Sequence, residues 1–599
     1  MSRRPRTGRP ALPLLAAVCA VGLSGTGCAS FPTGGSVNTK PDQDGKRSFD
    51  DPYVRIIPTK PQDGWGPEKV VQGFLKAMAN FDDGQVLLNS YLAPGVTWDS
   101  NLHQVQVVDD PKDDLAYNTT ESKDTAVVKV TGNLLGKITS AGSYEAKDGK
   151  ATPYTFTLKQ VAAGRWRIVD KPNDLLLRRS AVDRAFRTTN LYFFAPDHKV
   201  LVPSSVFLPL VNRASLPTQL VKALLDRASL PGPSVQTSLP PKTTLRGDGI
   251  EISDDGTATV DLSKEAASGS VREMSAQLML TLQQVTEIQN LRLKIDGRIR
   301  KTADGQEIQT RASFAELNPD GPPSGLTGDS FLLNRDGKLV QLSVPDQPFP
   351  VLQDRKIEHP AVSLDLQLFA GVSGKAIVVG RRGTVTSTEV MKVSDQKNSL
   401  LRPSWDRHNN LWIVETGPAG SRLWLWREAA PEAVEVQGWG FGGSHVRALR
   451  VARDGVRVAA LIDGSGPKTE IQLGRITPEE NGAPTMGEFK PINAELAEVR
   501  DLAWLDADTL AVLGRSTDTD TETYIPYQVP ISGGAVRYIA GSISGKPMTI
   551  AATSGSKKEI LLGVVSKDGM EILQRLPGDD PQYSEWKSAG AGAEPVYPG

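Results

Sequence analysis

Residues 404–414 read SWDRHNNLWIV, and the chain returns to the same plan as VARDGVRVAAL at 451–461 and as AWLDADTLAVL at 503–513. Each stretch has an apolar or aromatic residue at its first or second position, passes through an aspartate and ends in an apolar run. Aspartate favours turns because its carboxylate bonds the backbone two residues on. Short runs of Leu, Val, Ile and Trp on either side favour strands. Trp405 and Ala452 are 47 residues apart, and Ala452 and Trp504 are 52 apart. Related apolar runs stand at 376–379 and 560–564. A strand, an aspartate turn and a second strand recurring at roughly 40 to 50 residues is the pattern of a β-propeller blade. Residues 328–578 are therefore expected to form an all-β propeller-like domain of five to seven blades. Residues 579–599 read as a flexible tail.

Upstream, the pattern mixes helices with strands. At 191–194 and 199–202 two apolar runs flank the turn Pro196-Asp197-His198. Ser215 can cap a helix in which Leu216, Leu220, Val221, Leu224 and Leu225 share a face. After the turn Asp254-Asp255-Gly256, Ala258, Val260 and Leu262 alternate with Thr257, Thr259 and Asp261, which predicts a strand with one buried face. A second helix is expected to bury Met274, Leu278, Leu282 and Val285. Residues 291–295 form a last strand before Asp296-Gly297. This order, over 190–300, resembles the sporulation-and-germination domain called GerMN. Further upstream, Gly66-Pro67-Glu68 starts a helix with Pro at its first position, and Val70, Val71, Phe74, Leu75 and Met78 line one side of it. Strand-like runs follow at 104–108, 125–130, 154–159 and 165–170. A leading helix with a curved antiparallel sheet resembles the nuclear-transport-factor-like (NTF2-like) fold, here over 65–180. The fold class is thus multidomain: two α+β N-terminal domains, NTF2-like and then GerMN, followed by the propeller.

The composition narrows the function. Lys and Arg number 68 against 69 Asp and Glu, for a net charge of -1, too balanced for a surface built to hold phosphate backbones. The two cysteines, Cys19 and Cys28, both lie near the start, so the body has neither disulfides nor thiolate metal sites. Residues 1–10 carry Arg3, Arg4, Arg6 and Arg9 with no acid, and 11–23 are apolar or small. That is the charged and apolar pair of a signal peptide, too short for the roughly 20 residues of a spanning helix. Gly25-Thr26-Gly27-Cys28 resembles the lipobox of bacterial lipoproteins, although Gly25 stands where the family usually has Leu, with Leu23 two places earlier. The resemblance implies cleavage after Gly27, with Cys28 becoming an S-diacylglycerol and N-palmitoyl cysteine. An incidental cysteine after an ordinary signal is the alternative. Arg3-Arg4 hints at twin-arginine export, but Pro5-Arg6 follows, which favours the general route. Residues 28–64, rich in Gly, Pro, Asp and Lys, are expected to be a flexible tether.

Catalytic signatures are missing from the sequence. His103, His198, His359, His408 and His445 are scattered at no metal spacing. Gly443-Ser444-His445 places Ser and His too close together for a triad. Gly464-Ser465-Gly466-Pro467-Lys468-Thr469 lacks the Gly before Lys of a phosphate loop and reads as a hairpin turn. The acidic run 518–522 lacks the Gly and distal Glu of a calcium loop. Asp254-Asp255 and Asp579-Asp580 read as turns. No catalytic residue, metal or cofactor is expected. Trp405, Trp412, Trp424, Trp426, Trp439 and Trp504 are expected mainly in blade cores. Trp424 and Trp426, sharing one strand parity, are the candidates for an exposed anchor to a protein partner.

A lipoprotein signal, a GerMN segment and a degenerate propeller, in that order, resemble the actinobacterial LpqB lipoproteins over nearly the whole mature chain. The resemblance implies a protein held by lipid on the extracytoplasmic face of the cell membrane. It also implies a partner, the extracytoplasmic region of the sensor kinase MtrB, whose two-component system includes MtrA, and through it an influence on envelope homeostasis and division. The alternatives are a cell-wall glycan-binding scaffold and an envelope hydrolase.

Overall fold

The computed structural model describes residues 59–79, 84–98, 104–109, 115–147, 151–210, 216–226, 232–321, 329–441, 443–464, 468–479, 484–492, 495–516, 523–539, 541–553, 558–576 and 585–599. Cys28, the signal segment and most of the tether lie outside these. The tether's last residues, 59–64, are fastened rather than loose. Asp63 receives two hydrogen bonds from the Arg165 guanidinium at 2.8 Å, and the Gly64 amide donates to the Gly164 carbonyl.

Helix α1 (Pro67–Met78) begins at Pro67 and buries Val70, Val71, Phe74, Leu75 and Met78. It lies against a sheet whose backbone is the long strand Thr125–Ile138, with Ala151–Ala162 on one side and Val105–Val108 on the other. Phe74 meets Tyr91, Trp98 and Phe156 edge-on, with ring centroids 5.7 to 6.1 Å apart. Gly73 is required on this helix, because a Cβ there would sit 2.7 Å from the Tyr91 hydroxyl.

The second domain opens with a hairpin of Phe186–Phe194 and Leu201–Pro209. Thr257–Leu262 and Asn290–Ile295 pair in parallel, joined through helix α2 (Val271–Leu282). Parallel neighbours need such a crossover. Met274, Leu278, Leu282 and Val285 are all buried there, with the alternating residues of both strands. The Ser215 cap lies outside the described residues.

From Phe331 onward the described residues form six blades. In the third, the innermost strand is split into Ser399–Leu400 and Ser404–Trp405. Pro403, in the gap, has no amide to offer a ladder. The sequence repeat is the turn between the first and second strands of blades three, four and five. Asp406 accepts from the amides of His408 and Asn410 and from the Trp412 indole, which is why a Trp follows the turn. Asp454 accepts from the amides of Val456 and Arg457, and Asp506 from that of Asp508.

Residues 585–599 are no loose tail. Glu585–Ala591 is the outer strand of the sixth blade, and Ala593–Val596 pairs with Phe331–Leu333 as the inner strand of the first. The end of the chain thereby closes the ring. These strands escape sequence reading because EWKSAGA has no apolar alternation and Pro595 interrupts the other. Their partners, not their own propensities, make them strands.

Candidate partner-binding face and channel

The meander of each blade puts its first-to-second and third-to-fourth turns on one side of the propeller, and its second-to-third turns on the other. The second domain sits on the first side, and the first domain lies against the rim at blades four and five. Val456, from a blade-four turn, is buried in the core of the second domain. Asn190 donates to Asp508 at 2.9 Å, the Ala507 amide donates to Asp320 at 2.8 Å, and Arg407 reaches Asp197 at 3.4 Å. Beneath them, Arg457 donates to Asp454 at 2.6 Å and also to the Ala507 carbonyl. The first domain holds the rim through Arg179, which donates to the Gly533 carbonyl at 2.7 Å and lies 3.6 Å from Glu495, and through Glu145, 3.8 Å from Lys490.

On the second side, among the described residues, neither domain covers the propeller. Strand starts and second-to-third turns there gather Glu498, Arg500, Arg515, Tyr524 and Met548. The Arg500 guanidinium lies 4.3 Å from the Tyr524 ring centroid, Arg515 lies 5.5 Å from it, and Arg515 pairs with Glu498. Arg447 pairs with Asp463 nearby in blade four. Met548 is exposed.

Between the two sides, the inner strands of the six blades touch in a closed ring. Two polar relays tie it. In one, Glu594 of blade one accepts from the backbone amide of His359 in blade two at 2.6 Å, lies 3.0 Å from its ring and 3.5 Å from Arg402 of blade three. Burial pushes the Glu594 carboxyl up, yet the His359 hydrogen bond and the Arg402 charge outweigh it and hold it down at about 2. In the other, Arg450 of blade four donates to Asp501 of blade five at 3.0 Å, and Asp501 accepts from the Ile550 amide of blade six. Burial lowers the Arg450 guanidinium to about 10. A cavity of about 60 Å3 lies in this channel, with Arg402, Arg450 and Arg453 in its wall.

The two candidate anchors fall elsewhere. Trp426 is buried, edge-on to Trp405 at 6.1 Å, its indole donating to the Ala430 carbonyl. Trp424 is half-buried and donates to Glu415 at 3.2 Å. Strand Gly420–Trp426 sends Trp424 and Trp426 into the packing between blades two and three, and Leu423 and Leu425 into that between blades three and four. Both faces of the strand are interior, so shared parity does not mark an exposed side. The histidines stay apart: His198 stacks on Phe194 and bonds Glu273, His408 lies 3.7 Å from Asp197, His445 is exposed, and His103 lies outside the described residues. Among the described residues no three His, Cys, Asp or Glu converge as metal ligands. Gly464 and Lys468 close a hairpin, and Asp255 accepts from Ser253 and the Thr257 amide within its own turn. The sequence reading missed the channel groups, because Arg402, Arg450, Asp501 and Glu594 belong to four different blades.

Three family models match the chain in succession: "Lipoprotein LpqB, N-terminal domain" at 60–183, "Sporulation and spore germination" at 190–301 and "Lipoprotein LpqB beta-propeller domain" at 338–598. Lipoprotein LpqB of Thermobifida fusca (strain YX) is 32% identical, with 96% of each chain covered. The chain belongs to the LpqB lipoprotein family. Lipoprotein LpqB of Streptomyces avermitilis is 28% identical, again with 96% of each chain covered. Among solved structures, TolB from Acinetobacter baumannii matches 54% of this chain and 85% of its own at 14% identity and a TM-score of 0.34. LpqB proteins are envelope-associated lipoproteins. No helix among the described residues of this member is long and apolar enough to cross a membrane.

Proposed function

We propose that this LpqB protein is a non-catalytic docking lipoprotein, held on the extracytoplasmic face by acylated Cys28, that binds the MtrB sensor region through the uncovered side of its propeller and so modulates MtrA/MtrB signalling. The observation that supports this is the one-sidedness of the molecule. One domain caps one side of the propeller and another holds its rim, while the opposite side presents Arg500, Arg515, Tyr524 and Met548. Arg, Tyr and Met are enriched at protein interfaces, and Arg and Tyr dominate their hot spots. A lipid anchor confines both proteins to one surface and raises their effective concentration, so a modest contact suffices.

Crosslinking in membranes followed by capture of the kinase tests it. The double variant Arg500→Glu, Tyr524→Ala should lose most of the capture, and Cys28→Ser should lose it through release from the membrane. Equal capture by the wild type, the double variant and an unrelated lipoprotein would sink the reading. Mass spectrometry of the mature N-terminus checks the anchor separately, with acylated Cys28 as the first residue expected.

A further inference from the structure

The channel cavity combines three properties that no turn motif or family match accounts for. Its wall draws on all six blades, and its charged side chains are Arg402, Arg450 and Arg453, with Gly599 beside Arg453. The remainder is largely Ala, Val, Ile and Pro with the edge of Trp504. The acids that answer these cations, Glu594 and Asp501, stand behind the wall.

A guanidinium carries five N–H donors. The Arg402 side chain is only 9% exposed, and its contacts are two long ones of 3.5 Å, to Glu594 and to the Pro595 carbonyl. Arg450 spends one nitrogen on the Leu449 carbonyl and one on Asp501. Arg453 donates to Thr553 at 2.6 Å and to the Pro598 carbonyl at 3.3 Å, with Gly599 packed on its stem. Arg402 and Arg450 are therefore less fully matched by acceptors than Arg453. Two buried guanidiniums beside one another repel in a medium of low dielectric, and a buried donor without a good acceptor is costly. An anion between them would relieve both.

We propose that this cavity is a binding site for one small oxyanion group, a carboxylate or a phosphate, held by the forks of Arg402 and Arg450 with Arg453 at its inner end. Arginine takes both groups through paired N–H···O bonds. The cavity, about 60 Å3, has room for a small group of this kind beside the arginines. The site is internal to the propeller and does not depend on which partner meets the outer side.

The full-length chain, purified in detergent, is titrated with sodium phosphate and with sodium acetate against sodium chloride at matched ionic strength, with calorimetry and thermal melting as readouts. The expected result is saturable one-to-one binding of phosphate or acetate, with a rise in melting temperature that chloride does not produce. The arm that saturates identifies the group. Arg402→Met, which keeps the stem, should weaken binding at least tenfold. Arg450→Lys, which keeps the charge but loses the fork, should weaken it severalfold and guards against misfolding of the first variant. Lys301→Ala, an exposed change on the second domain, should bind as the wild type does. Absence of saturation by either anion, or unchanged affinity in the folded Arg402 and Arg450 variants, overturns the proposal.

Discussion

The two sides of the propeller carry the same kinds of residue to opposite ends. On the covered side, Arg457 and Asp454 are almost fully enclosed, and Asp506, 7% exposed, takes the half-exposed Lys558 as its partner. On the uncovered side, arginines pair with acids and rings in water. Arg447 and Asp463 keep about half and a third of their side-chain surface. Burial, not residue type, separates a charge that holds domains together from one left available to a partner. A buried ion pair is expensive to break because the survivor has no water to turn to, whereas an exposed pair exchanges protein contacts for solvent at little cost.

The largest break in this contrast should come from Arg457→Ala. It strands Asp454 beneath the second domain and should cost about 3–5 kcal/mol of stability, read from denaturant unfolding; a loss under 1 kcal/mol would refute the locked reading. Next is Val456→Ala, which withdraws a propeller side chain from the second domain's core. About 2 kcal/mol is expected from the lost burial, together with faster limited proteolysis. A variant as protease-resistant as the wild type would show that the seat does not rely on this contact.

Titration sharpens the comparison further. Asp506, on the covered side, is pushed up from 3.8 to about 7, first by burial and then by the charge of Asp508. A carboxyl raised in the folded state contributes its full stability below its unfolded value, and that contribution is lost as pH rises through about 7. Glu594, in the channel, is held down from 4.5 to about 2, so its contribution is present above 4.5 and fades as pH falls towards 2. Unfolding midpoints followed from pH 3 to pH 8 should therefore decline at both ends. Asp506→Asn should flatten the alkaline limb and Glu594→Gln the acid one. Limbs unchanged in both variants would remove these groups from the account. The smallest effect belongs to the uncovered side, where Arg515→Ala should change stability by less than about 0.5 kcal/mol. A loss above 1 kcal/mol there would mean that this side, too, is structural.

Much of the architecture was legible locally. The aspartate turns at Asp406, Asp454 and Asp506 announce themselves because a turn and its flanking strands are stabilised within a dozen residues. The helix of the first domain is marked by Pro67 and the spacing of Val70, Val71, Phe74, Leu75 and Met78. The strands 257–262 and 291–295 are marked by alternation against a single core. The same alternation misled at Trp424 and Trp426, since a blade strand is packed on both faces and parity then selects a neighbour rather than solvent. It was silent at 593–596, where pairing with Phe331–Leu333 supplies what propensity does not.

By itself, then, the amino-acid order determined the three-part plan, the blade period and the thiol available for lipid, because each is written in residues close together along the chain. Ring closure, the count of six blades, the choice of covered and uncovered sides, and the meeting of Arg402, Arg450 and Arg453 were decided only by tertiary structure. Those features join residues from separate blades, and nothing in a local segment encodes which distant strand will stand beside it.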